Sequence, residues 1–488
     1  MFQQLPPEIQ LLVAQQLDCT SATAALALTS HHFHDLATPI LYKNLENTYT
    51  HDILRLVDTL ARNPSLRGFP RSLKLEAWDP VPLETGEDAL TRVPVDPEEE
   101  EQDYWAYRIG LLCRLAKAAC PSQNENEEEG DAWARDIRLE NVDAWLALLL
   151  TLMPNLVRFE VQFPMTGRWV QRVVEWAVHG QVSALQSVQE VYVSARWFEF
   201  QGEIQNVTQW TLMFMGLPSV CRIATDGLSG DEVEDKTETT TAIKSPSSVT
   251  HITIDHCKGV RNLDKLIRNC PKLHSYRHHY APQSSRKHIL NPRGFYPALL
   301  IARCTLKELW LDIFPTYVID SDDGVHWPSF SDFTVLELLH VPHFLLGQYP
   351  KNPPTNIRGT LPSSLKTLHI TEVDKVTLAP ILKSLLDCIS DAPANVHFDE
   401  LIIATMGALT RRDAIMAAVE MDSDSRRPGL KLKLALALTA AERSAPAIRH
   451  AAELYSLCCQ RGTRFGVHKG QSKYLERWET VDPFEETR

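Results

Sequence analysis

The sequence predicts a mixed α/β chain in which a small N-terminal helical module is followed by an irregular solenoid of strand-helix units. Two observations carry this expectation. A spacing of large apolar residues, apolar-x-x-apolar-x-apolar, recurs from residue 156 to residue 430 with starts 24 to 33 residues apart, and a unit of that size repeated along a chain signals stacked repeats. Ahead of it, residues 1–45 hold three short helix-like segments separated by proline and capping residues.

The module opens with Leu5-Pro6-Pro7-Glu8-Ile9. Proline suits the first turn of a helix, where its missing amide would be unpaired anyway, and Glu8 sets negative charge at the positive end of the helix dipole. Ile9, Leu12 and Val13, with Leu17 a turn later, form one apolar face that Gln10, Gln15 and Gln16 do not share. A second helix fits Ser21 to Leu28, and Thr29 or Ser30 caps a third that carries Phe33 and Leu36 until Pro39 follows it. Three helices this short bury too little apolar surface without a staple or a partner, and no disulfide or metal pattern is present.

This order and spacing resemble the F-box, a module that opens with a Leu-Pro pair followed by Glu-Ile. Leu5, Pro6, Glu8 and Ile9 match the opening, and Ser30 to Leu45, with Phe33, Leu36, Pro39, Leu41 and Tyr42, is similar to the closing half of many fungal members. The resemblance implies that residues 1–45 dock on the Skp-type adaptor of SCF (Skp, cullin, F-box) ubiquitin ligases. The contact residues it implies are Leu5, Pro6, Glu8, Ile9, Leu12, Val13, Leu17, Phe33, Leu36, Leu41 and Tyr42.

Residues 46–79 read as a linker or first cap. Residues 80–131 read as an acidic, partly disordered insert: PVDPEEEEQD and SQNENEEEGD lack the apolar content to fold and flank the helix-like Tyr104 to Ala119. The solenoid then runs over 132–440. Its clearest frames are Leu156/Phe159/Val161, Val188/Val191/Val193, Val249/Ile252/Ile254, Leu306/Leu309/Leu311, Phe333/Leu336/Leu338, Leu365/Leu368/Ile370 and Phe398/Leu401/Ile403, with weaker ones at Val220, Leu273 and Leu430. Proline precedes most strand starts and ends the helix before it. Helical periodicity returns between strands, as in Val260, Leu263, Leu266 and Ile267, and in Leu378, Ile381, Leu382, Leu385 and Ile389. Such alternation also fits an ordinary α/β sheet.

The unit VTHITIDHCKGVRNLDKLIRNCPKL, residues 249–273, resembles the cysteine-containing leucine-rich repeat: Cys257 follows the strand and Cys270-Pro271-x-Leu273 closes the unit. Elsewhere the position eight after the start, usually Asn or Cys in that family, holds Pro164, Arg196, Leu228, Ala281, Phe314, Val341, Val373 and Met406. No side-chain ladder can form there, so other groups must satisfy the turn amides. The expected fold is thus an irregular leucine-rich-repeat-like solenoid, with a mobile insert at 226–248 and a C-terminal helix and polar tail at 441–488.

Composition narrows function. A formal charge of −13 argues against a nucleic-acid binder, because phosphate affinity needs clustered Lys and Arg. The apolar run Ala144 to Met153 is too short to span a bilayer, and residues 1–20 carry no secretory pattern. Ten scattered cysteines without CxxC spacing suit reduced thiols, so an intracellular protein is expected. No phosphate-cradling, nucleophile-elbow or HExxH motif is present, His31, His32 and His34 have no second ligand pair at zinc spacing, and beside His274 the repeat already explains Cys257 and Cys270 as small buried residues. The chain reads as a non-catalytic adaptor with no cofactor and no metal.

In the leucine-rich repeat pattern the non-apolar strand positions line one face. Here that face carries Arg158 and Glu160, Tyr192, His251 and Asp255, Arg277 and His279, Glu308, Trp310 and Asp312, then His369 and Glu400. Arg277, His279, Glu308, Trp310 and Asp312 are the expected contacts for a target protein, with Trp310 as anchor. A substrate receptor of an SCF-type ligase, linked through the Skp-type adaptor to a cullin, is the function so implied. A non-degradative scaffold and an α/β enzyme are the alternatives.

Overall fold

The computed structural model describes residues 5–17, 19–48, 50–75, 99–121, 127–163, 167–195, 207–228, 246–255, 263–279, 292–312, 325–326, 329–346, 348–349, 357–373, 377–390, 399–405, 450, 453–454, 456–458, 460 and 464–469. They form two compact units, Met1–Thr225 and Asp226–Arg488.

The first unit opens with α1 (Pro7–Gln15), α2 (Thr20–Ala27) and α3 (His31–Leu41). Pro6 and Pro7 start α1, the Cys19 thiol accepts from the Ala22 amide at α2, and Ser30 Oγ accepts from the Phe33 amide at α3. Pro39 does not end the third helix. It costs one amide donor, but the adjacent bonds hold: Thr38 Oγ1 donates to His34 O and Tyr42 N to Thr38 O.

Strand β1 (Asn44–Thr48), α4 (Thr50–Arg62) and β2 (Ser72–Leu75) follow. The parallel sheet therefore begins inside the segment assigned to a linker or cap; these two strands offer few apolar residues and their repeat escapes the pattern. Helices α5 (Glu99–Ala119), α6 (Glu127–Arg138) and α7 (Val142–Thr151) come next, then β3 (Arg158–Phe163), α8 (Arg168–Val178), β4 (Glu190–Ala195), α9 (Val207–Met215) and β5 (Arg222–Asp226). The sheet order is β1-β2-β3-β4-β5, with parallel pairing resolved from β1 to β4. The first halves of the two acidic runs lie outside the described residues; the second halves, expected to lack the apolar content to fold, are helical, with 99–103 opening α5 and 127–131 opening α6.

Helix α7 is buried from Val142 to Leu150, so its apolar run is core rather than surface. Trp133 Nε1 donates to Ala144 O and its ring stacks on Trp169 at 5.5 Å; Trp145 Nε1 donates to Ile137 O. Asp143, also buried, reaches the start of α8 and accepts from the Trp169 amide at 2.5 Å and the Val170 amide at 3.2 Å. A neighbouring helix thus caps α8, whose own preceding residue, Gly167, has no side chain to do so.

The second unit holds β6 (His251–Asp255), α10 (Leu263–Arg268), β7 (Ser275–His279), α11 (Pro292–Leu299), β8 (Glu308–Asp312), β9 (Val325–His326), β10 (Leu338–Pro342), β11 (Gln348–Tyr349), β12 (Thr367–Val373), α12 (Leu378–Ser390), β13 (Glu400–Thr405) and β14 (Arg464–Lys469). Its sheet order is β6-β7-β8-β10-β12-β13-β14, and β9 pairs with β11 apart from it. Strand order follows chain order with parallel pairing, as a solenoid requires and a doubly wound sheet does not. From β8 to β12 the described connections are 3₁₀ turns, such as Phe330–Asp332 and Ile357–Gly359, in place of the expected helices. Strand β14 continues the sheet where a C-terminal helix and tail were expected; helical turns are present at 450–460. The repeat at Leu430 and most of the 226–248 insert lie outside the described residues.

Main-chain bonds just ahead of the strands join successive repeats. In the first unit the carbonyls of Lys43, Arg71, Val157 and Gln189 each accept two successive amides from the next repeat, at 2.8–3.1 Å. In the second, Thr250, His274, Lys307, Glu337 and Lys366 do the same at 2.7–3.2 Å. Just before the strand, the frame-opening amides of Leu156, Val188, Leu273 and Leu365 donate to the carbonyl three residues earlier.

One frame is corrected by these bonds. Leu336 N donates to Phe333 O in the same way, and β10 sets Leu339 beside Leu309 and Leu368. The frame is Leu336/Leu339/Val341, three residues on from Phe333/Leu336/Leu338. Phe333 imitates a start because it is buried in the turn position that Met153, Leu185 and Cys270 fill in other repeats.

Truncating Leu339 to Ala should cost about 2–5 kcal/mol of stability, whereas Leu338→Ala, on the half-buried polar side, should cost about 1 kcal/mol or less; denaturant unfolding of the two variants checks the register. Burial raises the Asp143 carboxyl to about 6 against the pull of its two amide donors. A raised acid favours the native state below its unfolded value near 4 and loses that contribution as pH climbs through 6, a change of about 3 kcal/mol. Asp143→Asn should therefore gain stability relative to wild type between pH 4 and 7, read as the difference in melting temperature.

Candidate functional site

Two surfaces depart from the usual sorting of residues. The first is α1. It turns Gln10 and Ala14 inward, and the Gln10 amide donates to Leu5 O at 2.7 Å while its oxygen meets His32 Nε2 at 2.5 Å. Pairing the inward polar group in this way leaves the apolar residues outside: Leu5, Ile9 and Val13 are exposed and Leu12 is 55% exposed. Leu28, after α2, is 87% exposed. Pro6 and Glu8 are exposed too, while Leu17, Leu36, Leu41 and Tyr42 are half-buried. Phe33 is a correction: it is buried among the three helices and offers no surface, since its position on α3 faces inward with Ala37.

The second surface is the polar face of the sheet in the second unit. Strand pairing aligns Arg277, Trp310, His340 and His369 as one row across β7, β8, β10 and β12. Flanking rows bring Glu308 beside Ser275 and Asp312 beside His279. Arg277 Nη2 lies 3.4 Å from Glu308 Oε2, which also accepts from Ser275 Oγ at 3.0 Å, and His279 Nδ1 is 4.0 Å from Asp312 Oδ2. All five residues expected to contact a target thus share this face.

Trp310 is nevertheless not an exposed anchor. It is 8% exposed, because the His340 ring stacks on it at 3.6 Å with 10° between planes, His369 meets it edge-on at 5.8 Å, and His279 and the Arg277 guanidinium lie 6.0 and 5.9 Å from the indole. Trp310 is the hub of a polar cluster. The His340 and His369 Nδ1 atoms are 3.3 Å apart, and His369 Nε2 is 3.3 Å from Glu400 Oε2.

His340 is the residue that sequence reading missed. The slipped frame took it off the polar face; counted from Leu336, it holds the same place as Trp310 counted from Leu306 and His369 from Leu365. Burial, with His369, His279 and Arg277 nearby, holds its imidazole well below the usual range. His278, on the core face beside the Tyr276 hydroxyl, is pushed down to about 3 by burial and by His279.

Parallel strands in chain order, an apolar face and a polar face built from one repeating frame define a repeat solenoid. The leucine-rich repeat domain family matches residues 92–426, which is most of the chain, and the chain belongs to that family. Proteins of this class bind protein partners, and protein–protein interaction is the role the domain supports. The match does not reach α1 to α3. No curated protein matches the chain. Among the described residues, no helix is long and apolar enough to cross a membrane.

A histidine whose folded value is depressed contributes stability above its unfolded value near 6.5 and loses it as pH falls. Between pH 6.5 and 5, His278 should cost the wild type about 2 kcal/mol, and His340 should lower stability in the same direction. His278→Phe and His340→Phe should each flatten that decline in denaturant titrations at the two pH values.

Proposed function

We propose that this chain is the substrate-recognition adaptor of an SCF-type ubiquitin ligase, in which an F-box at residues 1–45 holds the Skp-type adaptor and, through it, a cullin, while the repeat domain holds a target protein. The observation that carries the reading is the exposed apolar side of α1, in a three-helix module that opens with Leu5-Pro6-x-Glu8-Ile9. Exposed Leu, Ile and Val side chains on one short helix are a docking surface that water disfavours. An adaptor of this kind is not itself an enzyme. It raises the effective concentration of target lysines near a ubiquitin-charged enzyme, so no residue of the chain need touch the reacting atoms. The reading requires an intracellular protein with no cofactor.

The contacts with the Skp-type adaptor are Leu5, Pro6, Glu8, Ile9, Leu12 and Val13, with Leu17, Leu36, Leu41 and Tyr42 at the edge. Target contacts fall to the half-buried polar side chains around Trp310 on the second unit's polar face: Arg277, His279, Glu308 and Asp312. Trp310 acts from beneath by holding them. A scaffold that binds the adaptor but delivers nothing for degradation is the second reading.

Co-purification with the Skp-type adaptor tests the first step. Ile9→Asp with Leu12→Asp should weaken it by about 100-fold or more, as expected for two interface anchors, while Arg277→Ala should leave it intact. Retention of the complex by the double variant would refute the docking claim. Ubiquitylation of a co-purified partner in a reconstituted cullin assembly distinguishes receptor from scaffold.

A further inference from the structure

We infer that His340 and His369 form an acid-sensitive clasp over Trp310 on the polar face of the second unit, closed while at most one of the two rings is charged and open when both are. The two Nδ1 atoms face each other at 3.3 Å, so the gap between them holds one hydrogen and no more. With both rings neutral, one Nδ1–H donates to the bare Nδ1 of the other. One added proton is tolerated. His369 as imidazolium points its Nε2–H at Glu400 Oε2, 3.3 Å away, and gives its Nδ1–H to His340, whose own proton then sits on Nε2. A second added proton sets N–H against N–H, and two like charges within hydrogen-bond distance drive the rings apart.

The closed clasp covers what lies beneath it: the His340 ring stacks on the indole, His369 meets it edge-on, and Trp310 is buried as a result. Strands β8 and β12 and the turn 343–346 pack against β10, with β7 and β13 beyond them. The carboxylates these elements bring to the polar face are engaged elsewhere, Glu308 with Arg277 and Ser275, Asp312 with His279, and Glu400 with His369. The other titratable groups on the adjoining turn and strand, His343 and Glu372, are buried. Arg277, His279 and a charged His369 add positive charge around His340. Burial and these cations hold its imidazole well below the usual range, so its contribution to the closed form is lost as pH falls. Once His340 leaves the indole, Trp310 passes from covered hub to exposed aromatic, the kind of side chain that anchors an interface.

The test uses the full chain without a partner, so its outcome is independent of the adaptor reading. Acrylamide quenching of tryptophan fluorescence is measured at neutral pH and at about pH 5, and the Trp310 contribution is the difference between each protein and its Trp310→Phe counterpart. Trp310 should become several-fold more accessible to acrylamide in acid while the far-ultraviolet circular dichroism is unchanged. His340→Phe, which keeps a flat ring on the indole and has nothing to titrate, should abolish the rise. His369→Gln, whose amide oxygen accepts from a charged His340, should abolish it too, and it decides alone should His340→Phe fail to fold. His278→Phe, on the core face, should leave the rise intact. The inference is overturned if wild-type Trp310 is equally shielded at both pH values, or is uncovered only together with loss of the circular dichroism signal. It is overturned equally if a folded clasp variant responds as the wild type does, or if His278→Phe abolishes the response.

Discussion

One main-chain carbonyl ahead of most described sheet strands collects two amides from the repeat that follows, and the rest of the structure depends on it. This bond pair holds successive repeats in one register. Side chains alternate along a strand, so a slip of one residue would exchange the two faces. With the register held, Ile252, Tyr276, Leu309, Leu339, Leu368 and Leu401 meet on the buried side, and Arg277, Trp310, His340 and His369 meet on the other. Because these bonds lie ahead of the strands, they do not depend on the residue eight after a frame start, such as Phe344 or Val373.

Holding the strands frees the connections. Some repeats return through an α-helix, as in α12, whose Ile381, Leu382 and Leu385 are buried; others return through short 3₁₀ turns, as at Phe330–Asp332, where Phe330 and the following Phe333 are buried. What each connection must do is cover the apolar face, and either geometry does so. This tolerance accounts for the uneven repeat length. It also lets the first unit insert two further helices, α5 and α6, and still keep a dense core around Trp133, Trp145 and Trp169.

The two unusual surfaces invert the ordinary sorting in opposite senses. On α1 a buried glutamine, satisfied by Leu5 O and His32, leaves leucine, isoleucine and valine in water. In the second unit, buried imidazoles are stacked and paired, and burial, with His369, His279 and Arg277 nearby, holds the His340 imidazole well below its usual range. Neither arrangement maximises stability. Local departures of this kind are expected where a surface serves binding rather than folding.

The sequence by itself determined the repeat class, the sheet strands from β3 to β13, their polar and apolar faces except in β10, and the three N-terminal helices, because strand alternation and helix capping are local codes. It determined too that Arg277, His279, Glu308, Trp310 and Asp312 would share a face. Only the tertiary structure decided the frame of β10, where Phe333 is as apolar as a true start, the early beginning of the sheet at Asn44, and the added strand β14. It alone buried Phe33 and Trp310 and joined His340 to His369. The reason is physical: which of several buried-looking residues faces a neighbour, and which rings come within a few ångströms, is set by pairing between repeats about thirty residues apart, and no local pattern encodes that.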